Sequence, residues 1–369
     1  MGCSCDKNST RKGLNESDNI IKDQNITKPE IELKSSEPYS DNSERIKEEK
    51  YEIKNFTGKG NFGKVYRAES SKSHIDCAIK KIYVDNSRKL SLLAKECEAL
   101  SKCHHPNIIL HKETFKAKDK THTAYYIVTE FANDGTLRQK IEEQNNEGKN
   151  IDETTLIIWL FQICLGLSYL HKKKIIHRDI KPDNIFLTKN GLIKIGDLGL
   201  VKIYNSITDL QKENSIAGSP KYMCPEMKNN RIYTDKCDIY SLGITFIDFF
   251  TSKINYSEKF VKLINKLKED NPDKRPTSDE ILNKNIIING MKKFLEKNNY
   301  KESLAYLIMK KLKKNGILEK EKNGNSDEFI KIIRKERKEL IKEREESNKN
   351  KEGKDLDILM CIIKNKISS

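Results

Sequence analysis

The stretch HRDIKPDNIFLTKNGLIKIGDLGL, residues 177 to 200, crowds three acids, three lysines, an arginine and a histidine into a run that otherwise reads apolar. Carboxylates, ammonium groups and an amide at such short spacing suit two tasks: taking a proton from a hydroxyl and neutralising phosphate charge. Asp179 is placed to accept the proton, and Lys181, two residues on, can reach a terminal phosphate. Asn184 and Asp197 offer oxygens for metal ions between phosphates. The segment either transfers phosphate or only holds a phosphate-bearing ligand.

A second group of residues tilts the balance. Gly58, Gly60 and Gly63 in GKGNFGKV, with Lys59, Asn61 and Phe62 between them, form a loop whose amides can approach phosphate oxygens because no Cβ stands in the way. The loop runs into another alternating segment and not into a helix, which argues against a dinucleotide-binding turn. Seventeen positions beyond Gly63, Lys80 ends CAIK. A lone strand lysine is usually solvated, but Glu96, ahead of HHPNI, supplies a carboxylate that can fix its orientation.

These residues need elements to position them. Alternating apolar positions in YEIKNFTGKGNFGKVYRAE, DCAIKKIYV and YYIVTEF predict short strands. SRKLSLLAKECEALSKC has helical spacing at Leu92, Leu93, Cys97 and Leu100, and it carries Glu96. After Gly135 the pattern becomes mainly helical, and TLIIWLFQICLGLSYLHKK is apolar nearly all round, as a buried helix would be.

The whole chain sets outer limits. Its 369 residues accommodate either two domains or one two-lobed core with tails, and 36% hydrophobic against 34% charged residues requires the apolar content to be concentrated, as it is in the middle. A net charge of +15 favours anionic partners without identifying one. Residues 6 to 48 are too polar to bury a core and read as a disordered arm. Nine cysteines without a CxxC pair indicate a reducing compartment, and the longest apolar run, LGITFIDFF, is broken by Asp248 and too short to span a bilayer. The expected location is therefore cytoplasmic.

HRDIKPDN, GKGNFGKV, CAIK, Glu96, GDLG and CPE, in this order, resemble the eukaryotic protein kinases of the serine/threonine type. The resemblance implies an α+β, two-lobed fold over residues 51–288: a small antiparallel β-sheet lobe with one helix (51–132) and a larger, mainly helical lobe (133–288). Residues 1–50 would be the disordered arm and 289–369 a charged helical extension. ATP and magnesium would occupy the cleft, with Lys80, Glu96, Asp179 and Lys181 catalytic and Asn184 and Asp197 on the metal. Val65 and Ala78 would cover adenine from above and Phe186 from below. Glu130 and Ala132 would lend backbone groups, with Thr129 at the rear. Glu226 of CPE would pair with Arg275, and Asp238 would brace the catalytic loop. Leu198 stands where most of the family carries Phe.

QICLGLSYLHKKKIIHRDIKPDNIFLTKNG, GDLGLVKIYNS and GSPKYMCPE are similar to the NIMA-related kinases. Kinases of translation initiation factor two are the alternative, although their small-lobe insert has no room in FKAKDKTHTAYYIV. Only one helix fits between FFTSK and NPDKRP, so the family's substrate-docking helix is expected to be missing. The activation segment, 197–226, offers Ser206, Thr208, Ser215 and Ser219. Ser215 is the first choice for phosphorylation, read by Arg178, whereas Ser219 resembles the hydroxyl that touches Asp179 and Lys181.

MGCSC resembles dually acylated termini, with Gly2 for myristate and Cys3 or Cys5 for palmitate, although Asp6 departs from the myristoylation pattern. One chain binds membrane only marginally, so peripheral attachment would need both. The partners implied are ATP, a protein carrying Ser/Thr hydroxyls and, through acylation, a membrane surface. The basic tail interleaves glutamates and few aromatics, which disfavours nucleic acid. A scaffold with weak or no catalysis is the non-enzyme alternative.

Overall fold

The computed structural model describes residues 50–297, apart from 60–62, 120–121, 149, 190, 207–208, 210–216 and 251–254. The calls on Gly2, Cys3, Cys5, Gly60, Asn61, Phe62, Thr208, Ser215, the arm and the tail, and on the Lys59 side chain, lie outside the described residues.

Five strands make the small lobe: β1 (Tyr51–Lys59), β2 (Lys64–Ser70), β3 (Asp76–Tyr83), β4 (His111–Asp119) and β5 (His122–Glu130), antiparallel in the order β1-β2-β3-β5-β4. The period of two in a strand divides β3 between two faces. Cys77 and Ile79 join Tyr51, Ala68 and Val128 in one small core, while Ile82 packs with Leu93, Leu100 and Ile127 on the other side. Lys80, in step with Ile82, therefore faces helix α1 (Ser87–Lys102). Register places Lys80 opposite Val65 and Ile127, and Ala78 opposite Thr129.

Helix α1 starts where the Asn86 side chain accepts the Lys89 amide at 2.9 Å, satisfying one of the orphan donors of its first turn. Its buried residues are Leu93, Glu96, Ala99 and Leu100. The expected stripe at Leu92 and Cys97 is thus displaced, and those two are only half-buried. The buried carboxylate of Glu96 occupies the centre of the face because it reaches Lys80.

The large lobe is built around α3 (Glu153–Lys172), following α2 (Leu137–Glu147). Helix α3 is long and apolar enough to cross a membrane by length and composition, which corrects the expectation that LGITFIDFF is the longest such run. Yet 72% of its apolar window is buried in this fold, where α7 (Ser278–Leu282) and α8 (Asn285–Lys297) pack against it. Between these lie α4 (Pro225–Lys228), α5 (Lys236–Ile247) and α6 (Glu258–Leu267). Phe246 and Phe260 meet edge to face where α5 packs on α6. Helix α8 crosses the boundary expected at 288: Ile287 and Met291 are buried, and a Cβ on Gly290 would lie 2.5 Å from Ile157 Cγ2. Among the described residues α6 is the one helix between α5 and NPDKRP.

Two short ribbons frame residues 177–201: β6 (Ile175–Ile176) with β9 (Lys202–Ile203), and β7 (Ile185–Leu187) with β8 (Ile193–Ile195). The Ile109 amide donates to Ile195 O at 2.8 Å and the Ile195 amide to Asn107 O at 2.9 Å, fastening the segment before β4 to β8.

Arg275 is the largest fully buried side chain, and its fork meets Glu226 at 2.6 and 2.8 Å. Burial pushes the Glu226 carboxyl up, but the guanidinium outweighs it and holds the group below its usual range. The stability from this pair is therefore present above the ordinary carboxylate range and lost as pH falls through the depressed value. Arg275→Met leaves Glu226 buried and unpaired and should cost about 3–5 kcal/mol in urea unfolding. An unfolding free energy unchanged from wild type would contradict this role.

Candidate active site

Lys80 Nζ lies 2.7 Å from Glu96 Oε1 and 2.9 Å from Asp197 Oδ1, with its side chain 12% exposed. Burial alone would lower the lysine's pKa. The two carboxylates more than reverse that and hold it above its ordinary value, so it stays charged. Two acids around one ammonium leave a net negative charge, which suits a further cation. Leu198 is fully buried in the 3-10 turn Leu198–Leu200, which packs against α1. An apolar contact under the Glu96 helix is thus made without the usual aromatic ring.

Asp179 occupies a tight polar cage. Lys181 Nζ is 2.8 Å from its Oδ2, Asn184 Nδ2 donates to the same oxygen at 2.9 Å, and the Ser219 amide donates to Oδ1 at 2.9 Å. Lys181 also donates to Ser219 Oγ at 2.7 Å, so the hydroxyl expected to touch this pair does touch the lysine. Burial pushes the Asp179 carboxyl up, but Lys181, Ser219 and His177 together hold it below the usual carboxylate range. At neutral pH it is an ionised acceptor.

The loop that presents Asp179 is strained and braced. Arg178 and Asp197 adopt positive φ, 66° and 55°, at a cost of about 1–2 kcal/mol each. Buried Asp238 accepts the amides of His177 and Arg178, both at 2.9 Å, and meets His171 Nε2 at 2.9 Å. His177 Nε2 is 2.9 Å from Gly196 O, tying the loop to the residue before Asp197. At Gly218, φ is 110° and a Cβ would lie 2.3 Å from Arg178 O, so only glycine lets the activation segment pass so close.

Arg178, the residue expected to read a phosphate, has partners within the fold. Its guanidinium already donates to Leu200 O, to Val201 O at 3.1 Å and to the Tyr233 hydroxyl at 2.9 Å. Lys202, 3% exposed in β9, lies over the Tyr233 ring at 5.0 Å. Sequence reasoning missed Lys202, Tyr233 and His171. A lysine inside the apolar strand VKI was the available signal for the first.

The remaining candidates line up along the cleft. The β2–β3 register puts Val65 opposite Lys80, and Ala78, two residues earlier on β3, shares its face. The Phe186 ring lies beneath Gly196, where a Cβ would be 2.6 Å from it. The Glu130 amide donates to Leu110 O, and its carboxylate holds Lys194 Nζ at 2.8 Å, so its side chain anchors the strand end from behind. Ala132 lies in the connection to α2, and Gly63 is pressed so near Lys81 O that a Cβ would come within 2.1 Å.

The donor set fits magnesium bound together with phosphates. The Gly196 amide donates to Asn184 O at 2.9 Å, bringing the segments of Asn184 and Asp197 side by side. Among the described residues no three His, Cys, Asp or Glu side chains converge as a complete protein cage. Magnesium commonly takes few protein oxygens and completes its shell with substrate phosphates and water.

An antiparallel β-lobe and a helical lobe, with Lys80, Glu96 and Asp197 joined and with an Asp-Lys-Asn cage, define a two-lobed fold of the protein kinase type. The family model described as the protein kinase domain matches residues 51–259, more than half the chain, and the chain belongs to that family. It is 32% identical over 275 residues to the serine/threonine-protein kinase Nek1 of Mus musculus, covering 67% of this chain and 22% of that protein. It is 30% identical over 291 residues to Nek5 of Homo sapiens, covering 71% and 40%. The probable serine/threonine-protein kinase nek1 of Dictyostelium discoideum is 29% identical over 351 residues, covering 82% and 71%. The chain thus spans only about a fifth to two fifths of the length of the first two relatives. These similarities favour the NIMA-related expectation over the translation-factor alternative.

The cage makes a direct prediction for Asp179. A carbon-13 NMR titration should place its carboxyl below the usual carboxylate range, and Lys181→Met should raise it as burial takes over. An unshifted carboxyl in Lys181→Met would contradict the lysine's dominance.

Proposed function

We propose that the chain is an ATP-dependent serine/threonine protein kinase similar to the NIMA-related group. The observation that carries this reading is the joint closure of two clusters: Lys80 on both Glu96 and Asp197, and Asp179 on Lys181, Asn184 and Ser219. An arrangement built only to hold a ligand has no need of an ionised carboxylate kept ready beside a lysine.

In this reading adenine lies between Val65 and Ala78 above and Phe186 below, against the backbone of Glu130 and Ala132. The amides of the Gly58, Lys59, Gly60, Asn61, Phe62 and Gly63 loop cover the phosphates. Lys80, oriented by Glu96, binds the α- and β-phosphates. Asn184 and Asp197 would hold magnesium, which supplies neutralisation of phosphate charge when bound. Asp179 orients the acceptor hydroxyl of a protein serine or threonine and accepts its proton as the oxygen bonds to the γ-phosphorus and the bond to the β–γ bridging oxygen breaks to release ADP, while Lys181 balances charge on the γ-phosphate. A depressed pKa makes Asp179 a weak base. That fits a loose transition state, in which the proton leaves late and positioning does most of the work.

Phosphate on Ser215 would add charge that Arg178, in the loop of Asp179, and Lys202, at the start of Ser215's own segment, could pair with, and so order that segment; both cations are buried. Acyl groups on Gly2 and on Cys3 or Cys5 would bring an otherwise cytoplasmic enzyme to a membrane surface. Mass mapping of protein from its own cells reads both, and an unmodified Ser215 or Gly2 would remove the respective idea.

Asp179→Asn should abolish transfer from magnesium-ATP to a generic serine/threonine substrate, by about a thousandfold or more, while nucleotide binding persists. Transfer by Asp179→Asn at the wild-type rate would refute the role. Binding without transfer by the wild type would favour the scaffold.

A further inference from the structure

A second charged cluster adjoins Asp179 and takes no part in the chemistry above. Asp183 lies four residues beyond Asp179, on the same 3-10 turn as Asn184, with its side chain 47% exposed. Asp248 caps the end of α5 and is 10% exposed. Tyr222, three residues after Ser219, is the buried link between the two. Since Ser219 and Asn184 both touch Asp179, the cluster flanks the point where an incoming hydroxyl must arrive.

Two carboxylates beside the acceptor position would make a subsite for an arginine or lysine of a substrate. Here the chain supplies those cations itself. Arg138 Nη2, at the start of α2, donates to the Tyr222 hydroxyl at 2.5 Å and to Asp183 Oδ2 at 3.3 Å. The Tyr222 hydroxyl donates in turn to Asp248 Oδ2 at 2.7 Å, and Arg138 Nη1 stands 3.9 Å from the same oxygen. Lys221 Nζ reaches Asp248 Oδ1 at 2.6 Å. Two cations against two carboxylates make the cluster neutral.

The two cations differ in how firmly they are held. Lys221 is 60% exposed, and a pair at such exposure is weak. Arg138 is 28% exposed and bonded to a buried tyrosine. The capping box of Thr136 and Gln139 fixes the helix start that carries it. A nearly enclosed carboxylate such as Asp248 is costly to leave without a partner, so a resident cation is expected whether or not substrate is bound.

We propose that Arg138, assisted by Lys221, permanently occupies an acidic substrate subsite beside Asp179. The chain accordingly selects serine and threonine sequences that lack a basic residue next to the acceptor, and Arg138 is its specificity-determining residue. This rests on the kinase reading given above. A substrate arginine would meet neutralised carboxylates and two like charges, which acts against it.

The test uses the full chain and peptides with one serine in an uncharged background, through which a single arginine is walked on both sides. Wild type should gain at no position. Arg138→Met should gain about tenfold or more in kcat/KM at one position, with the uncharged peptide little changed, and adding Asp183→Asn should remove the gain. Should Arg138→Met be inactive on every peptide, Lys221→Ala carries the test through a smaller gain at the same position. A wild type that already favours arginine, or active variants with an unchanged profile, would overturn the proposal alone. Absence of transfer from wild type to any peptide would overturn the kinase reading and this proposal together.

Discussion

One ammonium group sets the geometry on which everything else depends. Lys80 belongs to β3, Glu96 to α1 and Asp197 to the turn after β8, and no local preference brings those elements together. Desolvating a lysine and two acids costs several kcal/mol unless each finds its partner at short range, so the closed arrangement is strongly favoured over partly open ones. Leu198 wedges beneath α1 and supplies apolar burial at the same junction. The small lobe is therefore held against the helical lobe at Lys80, Glu96 and Asp197.

Around that junction the fold carries strain and compensates for it locally. Arg178 and Asp197 hold left-handed conformations, one beside Asp179 and the other at the second carboxylate on Lys80. Asp238 repays the loop with two amide hydrogen bonds and is itself kept ionised: burial pushes its carboxyl up, but His171 and His177 outweigh that and hold it below the usual range. Glu226 and Arg275 do the same for the activation segment's far end, against α5 and the NPDKRP turn. Polar contacts in this lobe thus fix backbone direction where apolar packing cannot. The site is organised before any ligand arrives.

Much of this was legible in the sequence, and the reasons divide cleanly. Lys80, Glu96, Asp179, Lys181, Asn184 and Asp197 stand out as candidates by residue type and order along the chain, and the fold gathers them into two clusters. The Glu226–Arg275 and Asp238 contacts followed from the family resemblance, since nothing local in CPE or CDIY reveals a partner dozens of residues away. Period counting places Leu93 and Leu100 on the buried face of α1 but adds the half-buried Leu92 and Cys97, because it assigns apolar residues to the core and cannot foresee that Glu96 will be buried at the centre of that face. Helix α8 runs past residue 288, and Met291 is buried there although charged residues follow it directly in the sequence. Lys202, Tyr233 and the Arg138 cluster depend on contacts between segments far apart in the chain, which spacing does not encode.

The central claim is that Lys80 must be oriented by Glu96 for phosphoryl transfer and not merely for binding. Single-turnover transfer from magnesium-ATP by Glu96→Gln, measured beside its ATP affinity, tests this most directly. Its transfer rate should be lower by about a hundredfold or more, with affinity changed far less, because a misplaced ammonium loses the aligned geometry before it loses the ligand. A Glu96→Gln protein that transfers at the wild-type rate would contradict it.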